Sequence, residues 1–169
     1  MSIRATKPGL DEQAELRRHV EHFLVAAREL PSLDVAERID VVERIISFLA
    51  EILLPHAAAE QRVLYPGAAR LLHERDGSDD VAYDRAAVRR LLAQLATADA
   101  ADAGDLQEIL YALYAILSAH FWREEAVYLR LAALADEAGV HAVVDEVTAA
   151  RRRGRFGPPG VQAAVAPPL

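Results

Sequence analysis

Apolar residues recur every three to four positions along four long segments of the chain, and this spacing places them on one face of a helix. The four segments span residues 11–30, 34–65, 80–98 and 105–135. In the second segment, for example, valine, isoleucine and leucine repeat at helical spacing from Val42 to Ile52. The pattern therefore predicts four amphipathic helices, A to D in chain order, each of which buries one apolar stripe.

Residues near the segment ends predict where two of these helices begin and how one is interrupted. An aspartate followed three residues later by a glutamate is a capping-box pattern, and it occurs at Asp34 and at Asp105. It predicts the starts of helices B and D. Pro66 predicts the end of helix B. Pro55 falls inside helix B, where its missing N–H group predicts a kink.

Two further segments follow helix D. The stretch VHAVVDEVTAARRR predicts a shorter amphipathic helix, and its basic end, ARRRGR, is interpreted as solvated. The final stretch, GRFGPPGVQAAVAPPL, is rich in proline and glycine and predicts a loosely ordered tail. We assign residues 1–153 to one domain and residues 154–169 to the tail. The whole pattern predicts an all-α, up-down-up-down four-helix bundle with a short fifth C-terminal helix.

Composition and charge narrow the classes of function. The chain has 169 residues and a formal net charge of -7, which argues against binding nucleic acid or an anionic membrane surface. It has no cysteine, so thiol catalysis, disulfides and iron–sulfur clusters are excluded. No apolar run reaches membrane-spanning length, and the first residues, MSIRATKPGL, lack the apolar core of a signal peptide. We expect a cytoplasmic protein without a membrane or nucleic-acid partner.

Two of the apolar stripes contain a histidine and a glutamate four residues apart. His56 and Glu60 lie on helix B, and His120 and Glu124 lie at the equivalent place on helix D. Four residues make about one helical turn, so the two side chains of each pair point the same way. Glu125 lies about 100° further round the helix and is the weaker candidate.

Helices A and C carry fewer histidine or acidic residues on their apolar stripes. Helix A carries His19 and His22, and a helical wheel places His19 nearer the apolar stripe, although a modest rotation reverses that preference. Helix C has no histidine, but Asp84 faces its apolar positions and His73 precedes it in the loop. The stretches PHAAAEQRVLY and AHFWREEAVYL resemble each other, which indicates a weak internal repeat of helices A–B and C–D.

Imidazole and carboxylate groups on buried stripes need partners, because burying unpaired polar or charged groups is costly. A metal ion is one such partner, and mixed imidazole and carboxylate ligands suit iron, manganese or zinc. A glutamate from each of two facing helices could bridge two ions, with the histidines as terminal ligands. The alternative interpretation is a solvated pair, or an incidental pair in a purely structural bundle.

The order and placement of these motifs resemble the hemerythrin-like (HHE cation-binding) family over about residues 10 to 135. The matching elements are a histidine on helix A, HAAAE followed by VLYP on helix B, and HFWRE on helix D. The resemblance implies a four-helix bundle with a non-haem di-iron centre whose glutamates bridge the ions. The ligands that it implies are His19 or His22, His56, Glu60, His120 and Glu124.

Helix C departs from the pattern of that family. Oxygen-carrying hemerythrins have two histidines there, whereas this chain reads YDRAAV, with Arg85 at the position that a histidine would take. Four residues could complete the ligand set instead: Asp84, His73, Tyr65 or Tyr128. Otherwise the second metal site is weak or empty.

The resemblance leaves several functions open. The most concrete is catalase-like disproportionation of hydrogen peroxide by two non-haem iron ions, bridged by oxo or hydroxo groups and by carboxylates. Dioxygen and nitric oxide are the other small molecules that such a centre would meet. The alternative is a module that binds or senses iron, dioxygen or nitric oxide without turnover, so whether the protein is an enzyme stays open. A ferritin-like site is disfavoured, because those bundles use Glu-x-x-His, with glutamate first.

Overall fold

The computed structural model describes residues 3–134 and 136–155, and within them every regular element is a helix. The helices are α1 (Ile3–Glu29), α2 (Val35–Phe48), α3 (Leu54–Leu72), α4 (Ser78–Leu95), α5 (Ala103–Ala132) and α6 (Glu137–Arg155). Helices α1, α4 and α5 correspond to the predicted helices A, C and D, and α2 and α3 together correspond to helix B. The predicted all-α bundle is thus confirmed, with α6 as its additional C-terminal helix. Almost all of the predicted tail lies outside the described residues. Across the described part of the chain, no helix has the length and apolar character needed to cross a membrane.

The two predicted capping boxes have different outcomes. At the start of α2, Asp34 accepts a hydrogen bond of 2.9 Å from the Glu37 N–H, and the Glu37 carboxylate accepts one of 2.9 Å from the Asp34 N–H. This capping box is confirmed. At the start of α5 the prediction is wrong, because Asp102 is the cap and its carboxylate accepts from the N–H groups of Gly104 and Asp105 at 3.0 Å each. Helix α5 therefore begins three residues before the position that a cap at Asp105 predicts.

A π-helical segment, Leu49–Leu53, joins α2 to α3 and lies immediately before the predicted kink at Pro55. Proline has no N–H to donate and its ring clashes with the carbonyl one turn earlier, so it disfavours a regular α-helix through its position. In the wider turn, the Leu54 N–H donates to the carbonyl of Leu49, five residues back. The extra residue accommodates Pro55 without ending the helix.

Helix α3 also continues through Pro66 to Leu72, so the predicted end of helix B is wrong. The segment after the proline is held by tertiary contacts, because Gly67 and Ala68 are buried and α3 packs against α6. Packing of a buried helix face outweighs a local helix-breaking residue.

Two apolar cores lie on either side of a band of buried polar residues. The first core joins α1, α2, α4 and α5 and contains Phe23, Leu49 and Leu113. The second joins α3, α5 and α6, with one buried residue each from α1 and α4, and contains Leu64 and Val144. The polar band consists of Gln13, His56, Glu60, His120, Glu124 and Arg151. On α1, α3 and α5 these residues lie where positions of one core give way to positions of the other, and Arg151 reaches Glu60 from α6, so the polar band lies deep in the bundle.

The contact between α3 and α6 depends on a glycine. A Cβ atom at Gly67 would lie 2.8 Å and 2.9 Å from the two methyl groups of Val143. Valine is stiff about χ1 and Val143 is buried, so it cannot easily move away. The close approach of α6 to α3 therefore requires a residue without a side chain at position 67.

We expect Gly67→Ala to lower the free energy of unfolding by about 1–3 kcal/mol through overpacking against α6. The direction of this change is informative, because helix propensity alone would make the alanine variant more stable by about 1 kcal/mol. Urea denaturation followed by circular dichroism would measure the change. Gly104→Ala is the matched control, because a Cβ atom there would meet only the Asp102 carboxylate, at 3.3 Å. A stabilised Gly67→Ala variant would contradict the close packing of α3 on α6.

Candidate metal centre

The structure brings together the two histidine–glutamate pairs that the sequence singled out. On α3, His56 is 3% exposed and Glu60 is 0% exposed, and His56 Nε2 lies 3.0 Å from Glu60 Oε2. On α5, His120 Nε2 lies 3.0 Å from Oε1 of the fully buried Glu124. The two pairs face each other within the bundle, one from α3 and one from α5.

Three of these side chains converge closely enough to hold one metal ion. His56, Glu60 and Glu124 each offer a ligand atom, and these atoms all lie within 4.8 Å of one another. His120 lies beside Glu124, outside this group of three. Around an octahedral ion, metal–ligand distances of about 2.1 Å, typical of imidazole and carboxylate ligands, place neighbouring ligand atoms about 3.0 Å apart. The separation between His56 and Glu60 matches that value.

The hydrogen bonding of these atoms supports the same interpretation. His56 Nε2 and Glu60 Oε2 contact each other at 3.0 Å, as do His120 Nε2 and Glu124 Oε1, and apart from these contacts His56 Nε2, Glu60 Oε2 and Glu124 Oε1 have no hydrogen-bond partner among the described residues. Buried polar atoms in folded proteins are nearly always satisfied, and here each of these atoms depends on one titratable neighbour. A cation among them would satisfy all three at once. The donor set therefore fits the metal that the resemblance implies.

The outer nitrogen of each histidine lies next to a further carboxylate. His56 Nδ1 is 3.4 Å from Glu12 Oε1, and His120 Nδ1 is 3.4 Å from Asp84 Oδ2. Such carboxylates fix the tautomer and ring orientation of metal-binding histidines, so that Nε2 faces the ion. Asp84, which the sequence offered as a replacement ligand, thus lies behind His120 and also pairs with Arg123.

Two residues that the sequence did not single out donate hydrogen bonds to the glutamates. Gln13 on α1 donates from Nε2 to Glu124 Oε2 at 2.8 Å. Arg151 on α6 donates from Nη2 to Glu60 Oε1. Each glutamate therefore has one oxygen engaged by a donor and one directed at the histidine of its own pair.

The interpretation of ARRRGR as a solvated helix end is wrong for its first arginine. Arg151 is 4% exposed, whereas Arg152 and Arg153 are exposed. A signal for this was present in the sequence, because Arg151 follows Val147 by four residues and so continues the buried stripe of α6.

The structure does not bring the helix-A histidines to the cluster. His19 and His22 are exposed, and the His19 ring stacks on Phe48 with centroids 5.1 Å apart. Gln13, which does reach the cluster, precedes His19 by six residues, or about 9 Å along the helix axis. Arg85, also noted in the sequence, lines a small pocket beside His120.

The structure places the three remaining candidate ligands, His73, Tyr128 and Tyr65, in different environments. His73 is exposed and forms the left-handed C-terminal cap of α3, with a φ of 55°. The Tyr128 hydroxyl accepts a hydrogen bond of 3.1 Å from Arg151. The Tyr65 hydroxyl is buried, and within the described residues it has no hydrogen-bond partner. Of the three, Tyr65 has a free polar atom in the interior of the bundle.

The buried charges strongly influence one another. Burial opposes the ionisation of Glu60, but His56 and Arg151 outweigh it and hold the pKa of Glu60 well below its usual range. Burial and the nearby Glu60 carboxylate raise the pKa of Glu124 to about 7. Burial also disfavours the charged form of His120, yet Glu124 and Asp84 raise its pKa to about 10. Protonated histidines balance these carboxylates, and a bound cation would displace those protons.

Comparison with known families identifies the class of protein that this fold and site define. The family model of the hemerythrin HHE cation-binding domain matches residues 10–132. The chain therefore belongs to the hemerythrin HHE cation-binding family. A search of curated proteins and a search of solved structures each found no match. Membership of this family indicates iron binding, and the buried cluster of histidine and glutamate fits a metal site. Helix α6, with Arg151, lies beyond the matched residues.

Proposed function

We propose that this chain binds iron through His56, Glu60 and Glu124, with His120 as a further donor beside Glu124. The observation that carries the proposal is the convergence of three buried side chains, whose ligand atoms all lie within 4.8 Å of one another. Imidazole and carboxylate ligands together suit iron, and the family is named for cation binding. The resemblance implies two bridged iron ions, but the number of ions is a separate question from iron binding itself.

We further propose that the bound iron reacts with a small oxidant, most concretely hydrogen peroxide in a catalase-like disproportionation. Iron, when bound, would exchange electrons with such molecules. The surrounding residues hold the site for this chemistry. Glu12 and Asp84 orient the two histidines, and the apolar cores above and below the polar band exclude bulk water.

We propose that a cavity bordered by Tyr65 admits the small reactant. Its volume is about 250 Å³, and Tyr65, Trp122, Arg123 and Arg130 are among the residues that line it. Burial and the charges of Glu124 and Glu60 raise the pKa of Tyr65, so its hydroxyl stays protonated near neutral pH. Tyr65 therefore borders both the cavity and the buried glutamates. Its unpaired hydroxyl is suited to donate a hydrogen bond to peroxide or dioxygen.

The test is anaerobic loading with ferrous iron, followed by elemental analysis and an assay of peroxide consumption with dioxygen release. Two neighbouring glutamates provide a matched pair of variants, since Glu124 is buried in the cluster and Glu125 is half-buried and paired with Arg17 at 2.6 Å. We expect the wild type and Glu125→Gln to retain iron. Glu124→Gln should lose at least about tenfold in affinity, because it removes a charged ligand.

The outcomes separate the candidate functions. Consumption of peroxide with release of dioxygen would support the catalase-like reaction. Iron binding without turnover, but with an absorption change on addition of nitric oxide or dioxygen, would favour the binding or sensing module. A chain that takes up no iron after anaerobic loading would overturn the proposal.

A further inference from the structure

Arg151 places a permanent positive charge inside the centre. Its Nη2 donates to Glu60 Oε1 and, at 3.1 Å, to the Tyr128 hydroxyl, and its Nη1 donates to Glu12 Oε2 at 2.6 Å. A buried ion pair is costly to desolvate, so a guanidinium at such depth indicates a strong local need for positive charge. That need comes from the carboxylates of Glu12, Glu60 and Glu124.

The carboxylate oxygens leave room for one ion. In a centre with two ions bridged by glutamates, both oxygens of each bridging carboxylate bind metal. Here Glu60 Oε1 accepts from Arg151 and Glu124 Oε2 accepts from Gln13. The remaining oxygens, Glu60 Oε2 and Glu124 Oε1, lie 3.0 Å from His56 Nε2 and His120 Nε2, respectively, and one ligand atom each of His56, Glu60 and Glu124 lies within 4.8 Å of the others.

The balance of charges in the centre also indicates one metal ion. Glu12, Glu60 and Glu124 contribute three negative charges when ionised, and Arg151 with one divalent ion contributes three positive charges, because histidines that bind the ion are neutral. Asp84 is balanced separately by Arg123. A second divalent ion would leave excess positive charge in a buried site and would require further anions, which is unfavourable in a low-dielectric interior.

We propose that the Arg151 guanidinium, delivered by α6, takes the place of the second cation, so that this chain holds one metal ion instead of two. The inference rests on the proposed function, because it concerns the number of ions in the same centre. Arginine suits the role, since it stays charged when buried and its planar fork of donors reaches several acceptors at once. In this chain α6, which lies outside the residues that the family model matches, completes the metal centre.

The experiment is a count of ferrous ions per chain after anaerobic loading and removal of excess metal, by native mass spectrometry and elemental analysis. We expect one ion in the wild type. Arg151→Met keeps a long side chain without the charge and should bind two ions. Arg152→Met, which alters the exposed neighbour, should still bind one. Circular dichroism would establish that each variant is folded.

Each outcome bears on the proposal. Two ions in the wild type would overturn it while leaving iron binding intact, and no ion in the wild type would overturn the proposed function and this inference together. A folded Arg151→Met variant with one ion would overturn it, as would one with no ion, which would show that Arg151 instead positions Glu60. If Arg151→Met does not fold, Arg151→Lys retains the charge and should bind one ion; two ions would contradict the proposal.

Discussion

Replacing His56 with alanine should abolish iron binding, whereas replacing His19 with alanine should leave it unchanged. His56 contributes one of the three buried atoms that converge on the centre. Residues that merely support metal ligands already cost about 10–100-fold in affinity when mutated, so loss of a ligand should exceed about 100-fold. Titration of the apoprotein with ferrous iron under anaerobic conditions, with competition by a chelator, would measure this change.

His19→Ala is a stringent control because the resemblance to the family implied a ligand on helix A. In the structure His19 is exposed, and its Nδ1 lies 3.0 Å from the Glu15 carbonyl oxygen of its own helix. A folded His19→Ala variant that loses iron as severely as His56→Ala would show that α1 brings His19 into the centre. The ligand set proposed from this structure would then be wrong.

Replacing Phe121 with alanine should destabilise the protein by about 3–5 kcal/mol, the range measured when large buried aromatic residues are truncated. Phe121 is 1% exposed and belongs to the first apolar core, directly beside the His120–Glu124 pair. The loss combines the transfer free energy of the ring with the cavity that it leaves. Urea denaturation of the apoprotein would measure the effect without a contribution from bound metal.

Trp122 is the matched control for this change, because it is the next residue on the same helix and is 74% exposed. Trp122→Ala should alter the free energy of unfolding by no more than about 0.5 kcal/mol. Similar destabilisation by both substitutions would mean that the exposed face of α5 is covered in solution. That result would also contradict the rotation of α5 about its axis that directs His120 and Glu124 towards the interior.

Local geometry explains why the two histidine–glutamate pairs could be found from the sequence. His56 with Glu60, and His120 with Glu124, each lie one turn apart on an apolar stripe, so their shared direction follows from helix geometry alone. The capping box at Asp34 was predictable for the same reason, since its partner is three residues away. The two motifs also carried the resemblance to the family.

Other features depended on how whole helices pack, which local pattern does not encode. The rotation of α1 about its axis, and its position along the bundle, decide that Gln13 meets Glu124 while His19 faces solvent. The π-helical turn at Leu49–Leu53, which adds a residue before Pro55, likewise does not follow from local pattern.

The sequence by itself determined an all-α bundle and the two pairs that supply the metal-binding groups, because both follow from interactions within a single helix. Only the tertiary structure decided what surrounds those groups. Arg151 and Glu60 are separated by 91 residues along the chain, and their contact exists because α6 docks against α3 and α1. The packing of helices distant in sequence therefore set the charge of the centre and the number of ions that we infer for it.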